Sequence, residues 1–250
     1  MQTKEETIKQ WDFSPLTPNG DLRIEARFMK FITELEQAFA ENSNPENAFA
    51  MAKYMRNHFS FFGIKTEERR LIFKDIWKGN KNEIAANPRE IALQLFAKTQ
   101  RELQYCAIEI LIKQLKGNYK KDDIQLIEKL IITNSWWDSV DTIAKNILGE
   151  YLLEYPLETE KVIERFSNSK NMWLNRSAIL FQLGYKGKTN FDVLKSECKK
   201  HKKSNEFFIQ KAIGWALREY GKTNPEAVQN FVASTNLKPL SKKEALKNIH

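Results

Sequence analysis

Two tryptophans and two aspartates are crowded into one short stretch of this 250-residue chain, which reads SWWDSVD over residues 135–141. Side chains four apart lie on one face of a helix, so Trp137 and Asp141 are predicted to stand together. A carboxylate stabilises positive charge, and the face of an indole attracts cations. The pair therefore predicts a site on a face that does not pack into the core.

The other residues of this stretch have structural explanations. Ser135 is predicted to be the N-cap of the helix, and Asp138 then occupies the position of a capping-box acid. A stripe with helical spacing is predicted to face the core. That stripe consists of Trp136, Val140, Ile143 and Ile147.

A second segment, residues 207–218, alternates aromatic and cationic side chains along one predicted helix face. These are Phe208, Lys211, Trp215 and Arg218. Such interleaving suits contacts with phosphates together with sugars or bases. The alternative is a second packing face, since inner helices of a repeat array bury two sides; it applies more to Trp215 than to the two cations, which resist burial.

Two further segments carry candidate ligands. Trp173 and Arg176 lie three apart and share a helix face, so Arg176 is a candidate phosphate clamp, with a surface salt bridge as the alternative. Tyr54 lies one turn from His58. A buried tyrosine with a satisfied hydroxyl is the simpler interpretation of that pair.

The charge balance fits a polyanionic partner without requiring one. Lysine and arginine number 40 against 32 acids, which gives a formal net charge of +8. The cysteines and histidines show no metal-ligand spacing, so neither a metal nor a cofactor is predicted. The absence of a long apolar run and of a signal-peptide core predicts a cytoplasmic protein with no membrane contact.

Helix-start signals dominate the sequence, and strand signals are scarce. Asparagine followed by proline at 44–45, 87–88 and 224–225 predicts an N-cap with proline in the first turn. A capping box is predicted at Ser241, and a further helix is predicted to begin at Thr66. The first two asparagine–proline pairs are about 43 residues apart, within the period of HEAT-type helix pairs.

The predicted fold is therefore all-α, a curved superhelical array of HEAT-like antiparallel helix pairs with roughly a dozen helices. Residues 1–22 are predicted to be an N-terminal extension on which Trp11 and Phe13 could dock against the main body. Residues 23–250 are predicted to form one domain.

Four blocks of the sequence together resemble the DNA alkylation repair enzymes of the AlkD type. They are residues 54–59 (YMRNHF), 135–141 (SWWDSVD), 173–182 (WLNRSAILFQ) and 207–215 (FFIQKAIGW). Their order and spacing also agree with the family, and the similarity runs from about residue 25 to the C-terminus.

This resemblance implies a HEAT-like array that holds duplex DNA in a basic concave groove. It also implies a monofunctional glycosylase that releases cationic N3- and N7-alkylated purines without full base flipping. By this likeness Asp141 is the catalytic carboxylate, Trp137 and Trp215 flank the lesion nucleotide, Arg176 holds phosphate, and Tyr54 contributes to the same cleft.

The remaining DNA-binding candidates are Lys211, Arg218 and Trp173, and the expected partner is duplex DNA bound by a monomer without an obligate protein partner. Two other functions remain open at this point. One is a non-catalytic HEAT-repeat protein that binds damaged DNA, and the other is a protein-interaction scaffold.

Overall fold

The computed structural model describes residues 22–248, with side chains from residue 30 onward. Within that part of the chain there are fifteen α-helices and no strand, apart from one isolated bridge between Ser60 and Gln100. The prediction of an all-α chain is confirmed. The predicted extension, including Trp11 and Phe13, lies outside the described residues except for Leu22, where the first helix begins.

Short turns separate most of the helices. They are α1 Leu22–Glu41, α2 Pro45–Tyr54, α3 Thr66–Gly79, α4 Lys81–Ala86, α5 Pro88–Phe96, α6 Arg101–Leu115, α7 Asp123–Ile132, α8 Trp137–Ile143, α9 Gly149–Glu154, α10 Thr159–Ser167, α11 Met172–Leu180, α12 Phe191–His201, α13 Phe207–Gly221, α14 Pro225–Ser234 and α15 Pro239–Ala245. A π-helical turn, Ala144–Leu148, joins α8 to α9.

The asparagine–proline signals mark true helix starts. The side chain of Asn44 accepts a hydrogen bond from the amide of Asn47 at 2.9 Å, and Asn224 caps α14 in the same way. Asn87 also stands at the N-cap of α5, without a side-chain bond. The capping box predicted at Ser241 is wrong, because this residue lies inside α15 and its hydroxyl donates to the Gln210 carbonyl.

The helices pack as a linear array in which each contacts near neighbours in the chain. Helix α1 packs on α3, α4 and α5; α5 packs on α6; α6 and α7 pack on α8; α11 packs on α7, α10 and α13; and α13 packs on α14 and α15. Such sequential contacts are characteristic of helical-repeat proteins. The predicted repeat architecture is confirmed.

Two hydrophobic cores meet at α11. Leu174 and Ala178 belong to the core of the N-terminal helices, whereas Ile179 and Leu180 belong to the core built around α13. Because α11 is buried on both sides, the helices on either side of it hold fixed positions relative to each other. No helix in the described part of the chain is long and apolar enough to cross a membrane.

Helices α13 and α15 approach closely at Gly214. A Cβ atom at this position would lie 2.4 Å from the Cβ atom of Glu244, so only glycine permits the contact. This close approach places the carboxylate of Glu244 against the basic face of α13.

Candidate nucleic-acid cleft

One cleft gathers side chains from the ends of four helices. Tyr54 and Arg56 come from the end of α2, and Arg176 comes from α11. The start of α8 and the first turns of α13 complete the lining with Trp136, Trp137, Phe207, Phe208 and Lys211. Three segments that the sequence analysis singled out separately, around residues 54, 137 and 208, thus meet at one place.

Helix α8 begins one residue later than predicted. Trp136, in an extended conformation, occupies the N-cap position, and the hydroxyl of Ser135 donates to the Ile131 carbonyl at 2.6 Å. The left-handed backbone of Asn134, with φ of 48°, turns the chain back toward α7. The predicted Ser135 cap and its capping box with Asp138 are therefore wrong.

The predicted core stripe is right for its helical members and wrong for Trp136. Val140, Ile143 and Ile147 are fully buried. Trp136 lies outside the helix, so helical spacing does not apply to it, and its half-buried ring packs in an aromatic cluster that forms part of the cleft lining. The distances between ring centroids are 4.3 Å to His58, 5.3 Å to Phe208 and 5.8 Å to Trp173.

Trp137 and Tyr54 meet across the cleft. Their rings are 6.3 Å apart in a T-shaped arrangement, and Tyr54 is 71% exposed. The simpler interpretation of Tyr54 as a buried tyrosine is therefore wrong. An exposed tyrosine beside a half-buried tryptophan in the lining of a cleft offers apolar contact to a ligand.

Asp141 and Arg176 form a two-pronged ion pair. The guanidinium donates from Nε at 2.7 Å and from Nη2 at 2.8 Å to the two carboxylate oxygens, and its Nη1 donates to the Phe208 carbonyl. The Arg176 side chain is 5% exposed and that of Asp141 is 13% exposed. The alternative of a surface salt bridge is therefore wrong, and a phosphate held by Arg176 would share this guanidinium with Asp141.

Burial raises the pKa of Asp141 above its ordinary value of 3.8. The hydrogen bonds and positive charge of Arg176 lower the pKa and so oppose this effect, while the nearby Asp138 carboxylate raises it further. Arg176 therefore favours the ionised form of Asp141 in a setting that otherwise favours the neutral acid.

The predicted phosphate contacts of α13 are already paired within the protein. Lys211 Nζ lies 2.8 Å from one oxygen of Glu244, and Arg218 lies 2.7 Å from the other. Trp215 stands one turn beyond Lys211 and packs, partly buried, against the second core. Trp173 belongs to the aromatic cluster with Trp136 and Phe208, beneath the cleft rather than on its rim.

The sequence analysis did not assign Arg56 or Phe207 to the cleft. Phe207 is 57% exposed, which is unusual for a phenylalanine, and a pair of adjacent phenylalanines at a helix start was the available signal. Arg56 has a left-handed backbone with φ of 55°, which no sequence pattern indicates. Among the described residues no cluster of histidine, cysteine and acidic side chains could hold a metal ion.

Comparison with known proteins identifies the family and the fold of this chain. A sequence profile described as DNA alkylation repair enzyme matches residues 35–249. A solved structure described as a predicted DNA alkylation repair enzyme from Enterococcus faecalis is 34% identical, with a TM-score of 0.75; the match covers 83% of this chain and 96% of that one.

Two structures from Streptococcus mutans share the fold at lower identity. AlkD2 is 17% identical, with a TM-score of 0.56 and coverage of 74% of this chain and 91% of that one. The protein smu.31 of strain UA159 is 15% identical, with a TM-score of 0.54 and coverage of 74% and 98%. A comparison with curated proteins finds no match.

The profile spans most of the chain, and the Enterococcus faecalis protein matches over nearly its whole length. The resemblance to AlkD-type enzymes seen in the four sequence blocks is confirmed. This chain belongs to the DNA alkylation repair enzyme family, and its role is in DNA repair.

Proposed function

We propose that this protein is a monofunctional DNA glycosylase that releases cationic N3- and N7-alkylated purines from duplex DNA. Membership of the family supports the repair role, and the chemistry of the cleft supports the finer assignment. The observation that carries it is the Asp141 carboxylate, which is held by Arg176, a residue that lines a cleft of aromatic and cationic side chains.

An alkylated purine already carries positive charge, so it leaves readily when its N-glycosidic bond breaks. The deoxyribose is then left with oxocarbenium character at C1′. A preorganised carboxylate next to that carbon stabilises the developing cation and orients the attacking water. In this protein Asp141 is the carboxylate placed for the task.

Arg176 serves in this mechanism as a positioning residue for Asp141. A carboxylate offers about four acceptor sites, and Arg176 occupies two of those on Asp141. The others remain for a water molecule and for the sugar. The pairing also favours the ionised form of Asp141, which opposes the rise in its pKa caused by burial.

The aromatic side chains supply contact surface for the nucleotide. Trp137, which is half-buried, and the exposed Tyr54 form an edge-to-face pair on which sugar carbons can pack. Trp215 lies farther along α13, and we propose that it contacts the backbone beyond Lys211. Trp173 supports this surface from below through its contacts with Trp136 and Phe208.

The open cleft is consistent with excision in which the base is not fully flipped into a pocket. The reactive charge resides on the substrate, so the enzyme selects cationic lesions over neutral bases such as uracil. No lysine nucleophile takes part, so base release is not accompanied by strand cleavage. A Schiff-base intermediate trapped by borohydride would contradict this part of the mechanism.

The deciding experiment is the release of 7-methylguanine from methylated duplex DNA by the wild-type protein and by Asp141→Asn. Loss of one preorganised electrostatic group predicts a rate lowered by about 10²–10³. Binding to DNA should persist, because the cationic side chains are unchanged. The matched control is Asp192→Asn, whose side chain is 89% exposed on α12 and forms an ion pair with Lys195.

Each outcome distinguishes between the functions that the sequence left open. Release that depends on Asp141 supports the glycosylase. Release that survives Asp141→Asn keeps the enzyme and removes Asp141 from the mechanism. DNA binding without release supports a non-catalytic damage-binding protein, and the absence of salt-dependent DNA binding supports a protein-interaction scaffold.

A further inference from the structure

The cations that line the cleft differ in whether the protein already neutralises them. Arg176 pairs with Asp141, and Lys211 shares Glu244 with Arg218. Within the described part of the chain the guanidinium of Arg56 has no carboxylate within ion-pair distance. Of the three cations that line the cleft, Arg56 is therefore the one whose charge is not compensated by a nearby carboxylate.

The backbone around Arg56 is held in an unusual conformation. Arg56 and Asn57 are consecutive residues with positive φ, 55° and 58°. Asparagine tolerates this left-handed region, whereas arginine seldom adopts it. Residues in such conformations persist where the surrounding structure fixes them, and they cluster at ligand-binding sites.

Contacts on both sides fix this turn against the cleft. Met55 is buried, with 6% exposure, and the amide of Asn57 donates to the Ala52 carbonyl at 2.7 Å. On the other side, the His58 ring packs 4.3 Å from the ring of Trp136. The turn is thus anchored at both ends, and the exposed Arg56 side chain between them lines the cleft beside Tyr54.

We propose that Arg56 is the principal phosphate contact of the cleft, a DNA-binding residue that holds one phosphodiester on the wall opposite α13. This inference rests on the proposed DNA substrate and adds the residue that bears the uncompensated charge. Arg176, by contrast, already donates two hydrogen bonds to Asp141.

The test uses Arg56→Gly with Lys186→Gly as the matched control. Lys186 is also an exposed cation with positive φ, 54°, but it lines a separate depression beside α11 and α12. Both variants remove one positive charge and replace a left-handed residue by glycine, which adopts that backbone freely. Neither variant should therefore lower the melting temperature.

Binding to an undamaged DNA duplex is measured as a function of salt concentration. Loss of one phosphate contact should reduce the slope of log K against log salt by about 0.9. If the wild type and Arg56→Gly bind equally well at about 1 M salt, the variant should bind roughly 15-fold more weakly than the wild type at about 50 mM salt. At about 200 mM salt it should bind roughly fourfold more weakly. Lys186→Gly should keep the wild-type slope, and Arg56→Lys should retain most of the binding.

The proposal is overturned if Arg56→Gly keeps the wild-type slope, or if Lys186→Gly changes it as much. A lower melting temperature for Arg56→Gly alone would show that the arginine has a structural role instead. Failure of the wild-type protein to release alkylated purines would remove the proposed glycosylase but leave an Arg56-dependent salt slope intact. The two proposals therefore fail separately.

Discussion

Helix α8 carries two aspartates one turn apart, and each accepts hydrogen bonds from one arginine through both of its carboxylate oxygens. Asp138 accepts from Arg101 at 3.0 and 2.7 Å, and Asp141 accepts from Arg176 at 2.7 and 2.8 Å. The two pairs have the same chemistry and nearly the same geometry. Their surroundings differ, and the surroundings separate a structural pair from a candidate catalytic one.

The pair built on Asp138 is saturated with hydrogen bonds, and its arginine is enclosed although Asp138 itself borders a separate depression. Arg101 is fully buried, donates also to Gln104, Ser139 and the Asn134 carbonyl, and stacks 3.8 Å from the Phe59 ring. The Tyr105 hydroxyl donates a third hydrogen bond to the carboxylate at 2.7 Å. This network joins α6 to α8, and it leaves few acceptor positions on the Asp138 carboxylate free for a ligand.

The pair built on Asp141 is open by comparison. Among the described residues Asp141 accepts side-chain hydrogen bonds only from Arg176, which itself borders the cleft. The two ion pairs have nearly the same geometry, but they differ in how many acceptor positions on the carboxylate remain free. Unused acceptor capacity beside a cleft is what a substrate requires, so the comparison indicates function more clearly than either pair alone.

The largest expected difference between the pairs lies in stability. Asp138→Asn leaves the charge of Arg101 without compensation in the interior, which should cost about 3–5 kcal/mol of the free energy of unfolding. Asp141→Asn should cost less than this, because Arg176 lines the open cleft, where water can compensate its charge more readily than it can that of the fully buried Arg101. Denaturant unfolding of both variants measures the two values. Equal losses would show that Asp141 has the same structural role as Asp138.

The second expected difference concerns pH. Burial raises the pKa of Asp141, and Arg176 opposes the rise. If the ionised carboxylate is the active form, excision falls as pH decreases through this pKa, at a higher pH than for an exposed aspartate. Arg176→Gln removes the opposing effect, so its acid limb should move to still higher pH.

Single-turnover release of 7-methylguanine from acidic to neutral pH tests this expectation. Arg176→Lys is the control, because it keeps the positive charge and loses the two-pronged geometry. Its acid limb should lie between those of the wild type and Arg176→Gln. An acid limb that does not respond to either substitution would mean that another group controls the rate.

The fold could be predicted because its signals are local. Asn44 and Asn224 mark helix starts that the structure reproduces, and apolar spacing identified Val140 and Ile143 as core residues. Trp136 was misplaced by the same reasoning, since a one-residue error in the helix start removes a side chain from the helical period.

The site could be predicted only as separate parts. Asp141 and Arg176 were each singled out, but their pairing joins residues 35 positions apart on different helices and depends on how α8 packs against α11. The same holds for Lys211 and Arg218, whose shared partner lies on α15. Periodicity identifies which residues share a face of one helix, but it does not identify what lies opposite that face.

The smallest expected effect concerns Glu244, the acidic partner that Lys211 and Arg218 share. The hydrogen bonds of Lys211 and Arg218 lower the pKa of Glu244, so it carries a negative charge at neutral pH and leaves the three groups with a net charge of +1. If this face contacts DNA, Glu244→Gln should steepen the salt slope of binding by up to about 0.9 and tighten binding at low salt. The control is Glu219→Gln on α13, which removes a partner of Lys222 at the C-terminal end of that helix. A slope that neither substitution changes would place the basic face of α13 away from the DNA and leave Arg56 to bind the phosphate alone.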